Sequence, residues 1–217
     1  MKKINIAEEL KHTVKEFKVG VISFTCSVEK TSFLNEIIFA LQEEIKTNYS
    51  LSDVLKITNI EAARKGYKLL GKDPSRYRLA VESLFRRIVK GNELYRINDV
   101  VDLGNILSLK TMRSVAVLDE DKIEGDILIR IGQNEAYEGI GRGNINIENI
   151  PVYCDQIGPF GTPTSDTMRT MITNETKKVL IFIISFNGEK GLIEDIKLCM
   201  DLYQKYASGT EFIYKII

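Results

Sequence analysis

The sequence predicts an α+β fold in which helices flank a sheet core. Three observations predict it. Apolar residues recur at helical spacing up to Gly91 and again over Leu192–Tyr206, the stretch between is mostly short β-branched segments broken by Gly, Asn and Glu, and Val179–Phe186 is an almost unbroken apolar run. With 217 residues and 44% hydrophobic content the chain can bury a substantial core, and one domain over residues 1–217 is expected.

The elements follow in order. Met1-Lys2-Lys3-Ile4-Asn5 leads into a polar, helix-like segment. Phe17–Thr25 reads as a first strand, and Thr31–Lys46 as a helix with Phe33, Ile37, Ile38, Leu41 and Ile45 on one face. Thr58-Asn59-Ile60-Glu61 has the form of a capping box, and Gly71 is placed to end the helix it opens. Asp73-Pro74 fits the N-cap and first position of a next helix, whose stripe Val81, Leu84, Phe85, Ile88 runs to Gly91. Asn98 can cap a helix reaching about Lys110. Ser114–Leu118, Asp126–Ile131 and Asn144–Ile147 read as short strands, and the Val179–Phe186 run belongs in the middle of a sheet or sandwich. Asn187-Gly188 turns the chain into the helix Leu192–Tyr206, Gly209 ends that helix, and Phe212–Ile217 can return as a strand.

Composition narrows the function. No run of 18 apolar residues and no signal-peptide pattern is present, so a soluble, cytoplasmic protein without membrane association is expected. Cys26, Cys154 and Cys199 form neither a disulfide framework nor a Cys-x-x-Cys site and read as small buried residues. The single histidine, His12, lies on the polar N-terminal segment, which disfavours Ser-His-Asp and Cys-His mechanisms. Too few His and Cys ligands remain for zinc; an all-carboxylate Mg²⁺ site stays open, and no metal or other cofactor is expected. Net charge is zero, yet Glu61 to Lys90 holds nine basic residues against three acidic ones. That stretch is either a solvated helical face or a phosphate-contacting surface.

Candidate site residues come from four places. Two Asp/Asn-rich stretches, Ile97–Asn105 and Leu118–Asp126, suggest a polar pocket. Gly139-Ile140-Gly141-Arg142-Gly143-Asn144 reads as a hairpin turn, because no helix follows it and no Gly-Lys-Ser/Thr occurs. Asp166-Thr167-Met168-Arg169-Thr170 follows the Gly/Pro-rich Gly158–Pro163, and either lines a pocket or caps local backbone.

These motifs carry a family resemblance. Arg86-Arg87-Ile88, Ile97-Asn98-x-Val100-Val101-Asp102-x-x-Asn105, Asp119-x-Asp121-Lys122-Ile123-Glu124-Gly125, and Asn174-Glu175-Thr176 before the apolar strand resemble, from about Arg76 to Phe186, the tRNA-editing (B3/B4) domain of the bacterial phenylalanyl-tRNA synthetase β subunit. The Asp166-Thr167-x-Arg169-Thr170 loop looks more like free-standing members of that family. The resemblance implies a β-sandwich-like sheet core flanked by helices and a pocket that hydrolyses the ester of a mischarged aminoacyl-tRNA. The partner it implies is the charged 3′ end of tRNA.

The candidate residues for the reaction are Asn105, which falls on a pocket asparagine of the family, with Asp166 and Thr167. Ala116, Met168, Arg169 and Thr170 are the candidates around the amino acid, and Arg76, Arg78, Arg86 and Arg87 those for RNA. Asp102 matches a motif position and is supportive. Two departures bear on specificity. Ala116 stands at the start of Ala116-Val117-Leu118-Asp119 where the synthetases read His-Ala-Phe-Asp, and Met168 stands in place of the glutamate that recognises a tyrosine hydroxyl. Tyrosyl-tRNA is therefore not expected as substrate. Asp166 could instead pair with a cationic arginine analogue. Tyr77, Tyr137 and Phe160 are candidates for stacking on an end base. The alternatives are a non-catalytic tRNA- or amino-acid-binding module of the same fold, and a hydrolase of free amino-acid esters or amides.

Overall fold

The computed structural model describes residues 1–217. In chain order the elements are β1 (Ile4–Ile6), α1 (Glu8–Thr13), β2 (Lys18–Thr25), α2 (Phe33–Asn48), α3 (Leu51–Val54), α4 (Thr58–Leu69), α5 (Ala80–Val89), α6 (Asp99–Thr111), β3 (Val115–Asp119), β4 (Ile127–Ile131), β5 (Glu138–Gly139), β6 (Gly143–Asn144), β7 (Pro151–Cys154), β8 (Pro159–Gly161), β9 (Lys178–Ser185), α7 (Leu192–Tyr206) and β10 (Thr210–Ile216). Short 3₁₀ turns follow β3 (Glu120–Lys122) and β8 (Met168–Thr170).

The apolar run of β9 is explained by its place. It pairs antiparallel with β2 on one side and β3 on the other, in a sheet of order β10-β2-β9-β3. Side chains alternate across it. Ile183 pairs with Gly20, where an added Cβ would lie 3.3 Å from Ile196 of α7, so this face lies under the helix. Ile181 pairs with Val117, which abuts Gly104 of α6. On the opposite face Phe182 meets Tyr153 of β7 edge to face at 5.1 Å. Tyr153 belongs to a second sheet, β1-β4-β7-β8, so the two sheets meet through this aromatic pair in the sandwich-like manner expected of an α+β chain. One continuous cluster of buried side chains joins both sheets and the helices.

Several boundaries differ from expectation, each for a local reason. The helix expected from Pro74 starts at Ala80. Asp73 instead closes a turn, accepting from the Ser75 N–H at 2.8 Å through its carboxylate and from Tyr77 N–H at 3.0 Å through its carbonyl. The capping box lies at Ser50 and Asp53 of α3, while Thr58 is already helical and its side chain caps nothing. Only Asn144 of the expected strand Asn144–Ile147 is paired, in the hairpin Glu138↔Asn144 and Gly139↔Gly143. That hairpin is the turn predicted there. Strands β1, β7 and β8, each of three or four residues, were not expected; β7 and β8 begin with proline, which reads as loop. All three cysteines are free; Cys154 and Cys199 are buried, whereas Cys26 is only partly so.

Candidate functional site

The first wall of the site is α6. Asn98 caps it by accepting from Val101 N–H at 2.9 Å. Asp99 and Asp102, both buried, are spent on holding its entry: Arg96 donates to Asp99 at 2.9 Å and Asp102 at 2.6 Å, and Asp102 also accepts from Ile97 N–H at 3.0 Å. Residues three and four apart share a helix face, so Val101, Gly104, Asn105 and Ser108 look the same way. Gly104 lets α6 approach β3, because a Cβ there would stand 2.2 Å from Val117 Cγ2.

The second wall is the edge strand β3, whose Val115 and Val117 turn towards α6. The third is the loop after β8. Thr162 N–H and Oγ1 both donate to Ser165 O, at 3.1 and 2.9 Å, which folds the loop back on itself. Thr167 then pairs with Phe160 O through both N–H at 3.0 Å and Oγ1 at 3.1 Å. The β5–β6 hairpin docks on this loop through Ile140 N–H to Asp166 O at 2.9 Å. The loop also fixes the start of α5, since Ala80 N–H donates to Pro163 O at 2.8 Å.

These parts enclose a cavity of about 290 Å³. Its lining is mostly apolar, with Val101, Val115, Val117, Ile140, Met171 and Ile172, and its polar groups include Asn105, Asp166 and Arg142. Asp166 Oδ1 has no exposed surface and no hydrogen-bond partner. Burial pushes the Asp166 carboxyl up to about 7, against a smaller opposing contribution from the Thr162 backbone N–H. Burial likewise raises the neighbouring phenols of Tyr137 and Tyr153, with the Asp166 charge adding to it.

A second cavity of about 310 Å³ adjoins the first. Ala80, Asn105, Val115 and Arg142 line both, and Ser83, Leu84, Arg87 and Ser108 line the second alone. No group of three or more His, Cys, Asp or Glu side chains is arranged to hold a metal ion.

The B3/4 domain family model matches residues 62–198, more than half of the chain. The chain belongs to the B3/4 domain family. No curated protein matches its sequence. Among solved structures, the fold is similar to an N-terminal fragment of the phenylalanyl-tRNA synthetase β-subunit from Pyrococcus horikoshii, with TM-score 0.50 and 13% identity over 99% of this chain and 55% of that one. At that identity the likeness is one of fold, and this B3/4 chain spans little more than half of the fragment.

Within the B3/4 domain the sequence-derived residues separate. Asn105 and Asp166 line one cavity although they lie far apart in the chain. Thr167 does not line it, and its hydroxyl is committed to Phe160 O. Ala116 is buried on the face of β3 opposite Val115 and Val117, away from the cavity. Met168 and Arg169 lie on the other side of the loop; Arg169 grips Asp155 with two bonds of 2.9 Å. Thr170 is fully buried, with its hydroxyl unpartnered.

The basic stretch is also divided. Arg64 pairs with buried Glu82 at 2.8 Å, and Lys72 is buried on the carbonyls of Asn146 and Glu148 at 2.8 and 2.7 Å. Arg76 and Arg78 are exposed, Arg86 is half-buried, and Arg87 stacks on Tyr95 at 4.0 Å while lining the second cavity.

Three expectations are corrected. The acidic stretch Leu118–Asp126 builds no wall of the cavity: Asp119 accepts from Thr176 Oγ1 at 2.6 Å, and buried Glu120 from Ser23 Oγ at 2.5 Å. The acidic part of Ile97–Asn105 is structural, as Arg96 shows. The stacking candidates are occupied, with Phe160 and Tyr137 buried and Tyr77 lying under Lys72 Nζ at 3.8 Å. Sequence reading missed Gly104, Ile140 and Arg142 as wall residues. The Gly-rich setting of Arg142 announced a turn, and nothing local in it shows that the turn docks on the 166 loop.

Proposed function

We propose that this B3/4 domain hydrolyses, in trans, the ester joining a wrong amino acid to the 3′ end of tRNA. The observation that carries the reading is the meeting of Asn105 and Asp166 in one largely apolar cavity. Family membership and the fold shared with a tRNA synthetase subunit support it.

The chemistry asks little of the protein, because an aminoacyl ester is already activated. Water adds to the ester carbonyl and passes a proton to the Asp166 carboxylate. The Asn105 amide donates to the oxygen on which negative charge develops. Breakage of the acyl C–O bond then returns that proton to the departing ribose oxygen, leaving a free amino acid, a free tRNA hydroxyl and an ionised Asp166. A carboxyl at about 7 is matched to such a two-way transfer near neutral pH. Arg76, Arg78, Arg86 and Arg87 are assigned to the RNA backbone.

The test is release of amino acid from a panel of correctly and incorrectly charged tRNAs. One mischarged species should be hydrolysed rapidly, and Asn105→Ala should slow that reaction by about 10²-fold. Uniform background rates would refute the reading, and tight binding without turnover would make the domain a binding module.

A further inference from the structure

The two adjoining cavities differ in chemistry. The one holding Asp166 is lined chiefly by Val, Ile and Met side chains, whereas the one holding Arg87 adds Ser83 and Ser108 beside a single leucine, Leu84. Arg142 stands on their common wall beside Asn105, carried there by the β5–β6 hairpin. Its side chain has no hydrogen bond or ion pair, and only its backbone is engaged, N–H to Gly139 O at 3.0 Å. No carboxylate is paired with it; of its ionisable neighbours the Tyr67 phenol favours its charge, and Arg78, itself paired with Glu82 at 3.8 Å, opposes it. The residue is exposed overall, yet partial burial in the cavities works against its charge, and Arg78 adds to that. A guanidinium keeps its proton in such a position, and with its five donors unpaired it is free to take an anion from outside.

A ligand spanning both cavities therefore has an apolar end, a linkage opposite Asn105, and a polar end carrying negative charge. Resting on the reading of the site proposed above, we infer that Arg142 holds a phosphodiester of a polynucleotide 3′ end, seating the terminal nucleotide against Ser83, Arg87 and Ser108 and the acyl group beside Asp166. The hairpin turn thus contributes through one side chain, without the backbone cradle of a phosphate loop.

The test is binding of the 5′-fluorescein-labelled RNA tetranucleotide ACCA, followed by anisotropy at 50 and 200 mM salt, with unlabelled adenosine and inorganic phosphate as competitors. Wild-type protein should bind ACCA, and Arg142→Gln should weaken it about tenfold and reduce the salt slope by about one. Arg142→Lys should retain most of the binding, and adenosine should compete equally well with both proteins. No binding by wild type, equal binding by Arg142→Gln, or displacement by inorganic phosphate as effective as by unlabelled ACCA would overturn the inference. The deacylase reading is separable from it. Arg142-dependent ACCA binding without hydrolysis of any charged tRNA would sink that reading alone, whereas hydrolysis with Arg142-independent ACCA binding would sink the inference alone.

Discussion

Replacing Asp166 by asparagine swaps a carboxyl for a neutral amide of nearly the same shape, so it isolates the effect of the buried charge. In the folded protein burial raises this carboxyl from 3.8 to about 7. The unfolded chain releases its proton near pH 4, while the native state keeps it to about pH 7. Between those values the unfolded state binds fewer protons, so wild-type stability falls as pH rises. At ~1.4 kcal/mol per unit, the full difference is about 4 kcal/mol above pH 7 and vanishes below pH 4. Urea unfolding of both proteins from pH 4 to pH 8 measures it. The Asp166→Asn protein should match wild type within about 1 kcal/mol at pH 4 and exceed it by up to about 4 kcal/mol at pH 8. Hydrolysis by wild type should rise with pH and level off above about 7, where Asp166 is ionised. Parallel stability curves across the range would refute the reasoning, since the carboxyl would then titrate alike in both states.

Two further perturbations address the packing around the site. Gly104→Ala brings a methyl group to 2.2 Å from Val117 Cγ2, so melting curves should show a loss of about 1–3 kcal/mol, and adding Val117→Ala should recover part of it. The Tyr153 hydroxyl is buried without a partner, so Tyr153→Phe should leave stability unchanged or raise it by about 1 kcal/mol in chemical denaturation; a loss of that size would reveal a hidden partner.

The elements that sequence reading placed well are those whose signal is local and redundant. Leu192–Tyr206 begins and ends where its apolar stripe puts it, although the left-handed residue that follows it is Ser208 and not Gly209, and β9 is the central strand that its unbroken apolar run requires. The Asp73-Pro74 start was misplaced because the same two residues serve a turn as readily as a helix, and the ties of Lys72 to Asn146 and Glu148 are invisible in sequence. The site was legible only in part. Asn105 and Asp166 stood out as chemistry-bearing residues, but so did Asp99, Asp102 and Asp119, whose carboxylates are consumed by Arg96, Thr176 and helix ends. Which carboxylate is left without a partner depends on contacts distant in the chain. The alternation of β3 was equally decisive, because a one-residue step takes Ala116 to the far face and leaves Val115 and Val117 at the cavity.

The pairing of β9 between β2 and β3 also governs how this chain is born. Val21 meets Phe182 and Ala116 meets the same residue from the other side, so both flanking strands are synthesised before the central strand that pairs them. Until it arrives, β2 and β3 are unpaired apolar strands with open edges, and closing them demands contacts between segments distant in the chain. Until β9 is made, such a nascent chain offers those edges for association with its neighbours.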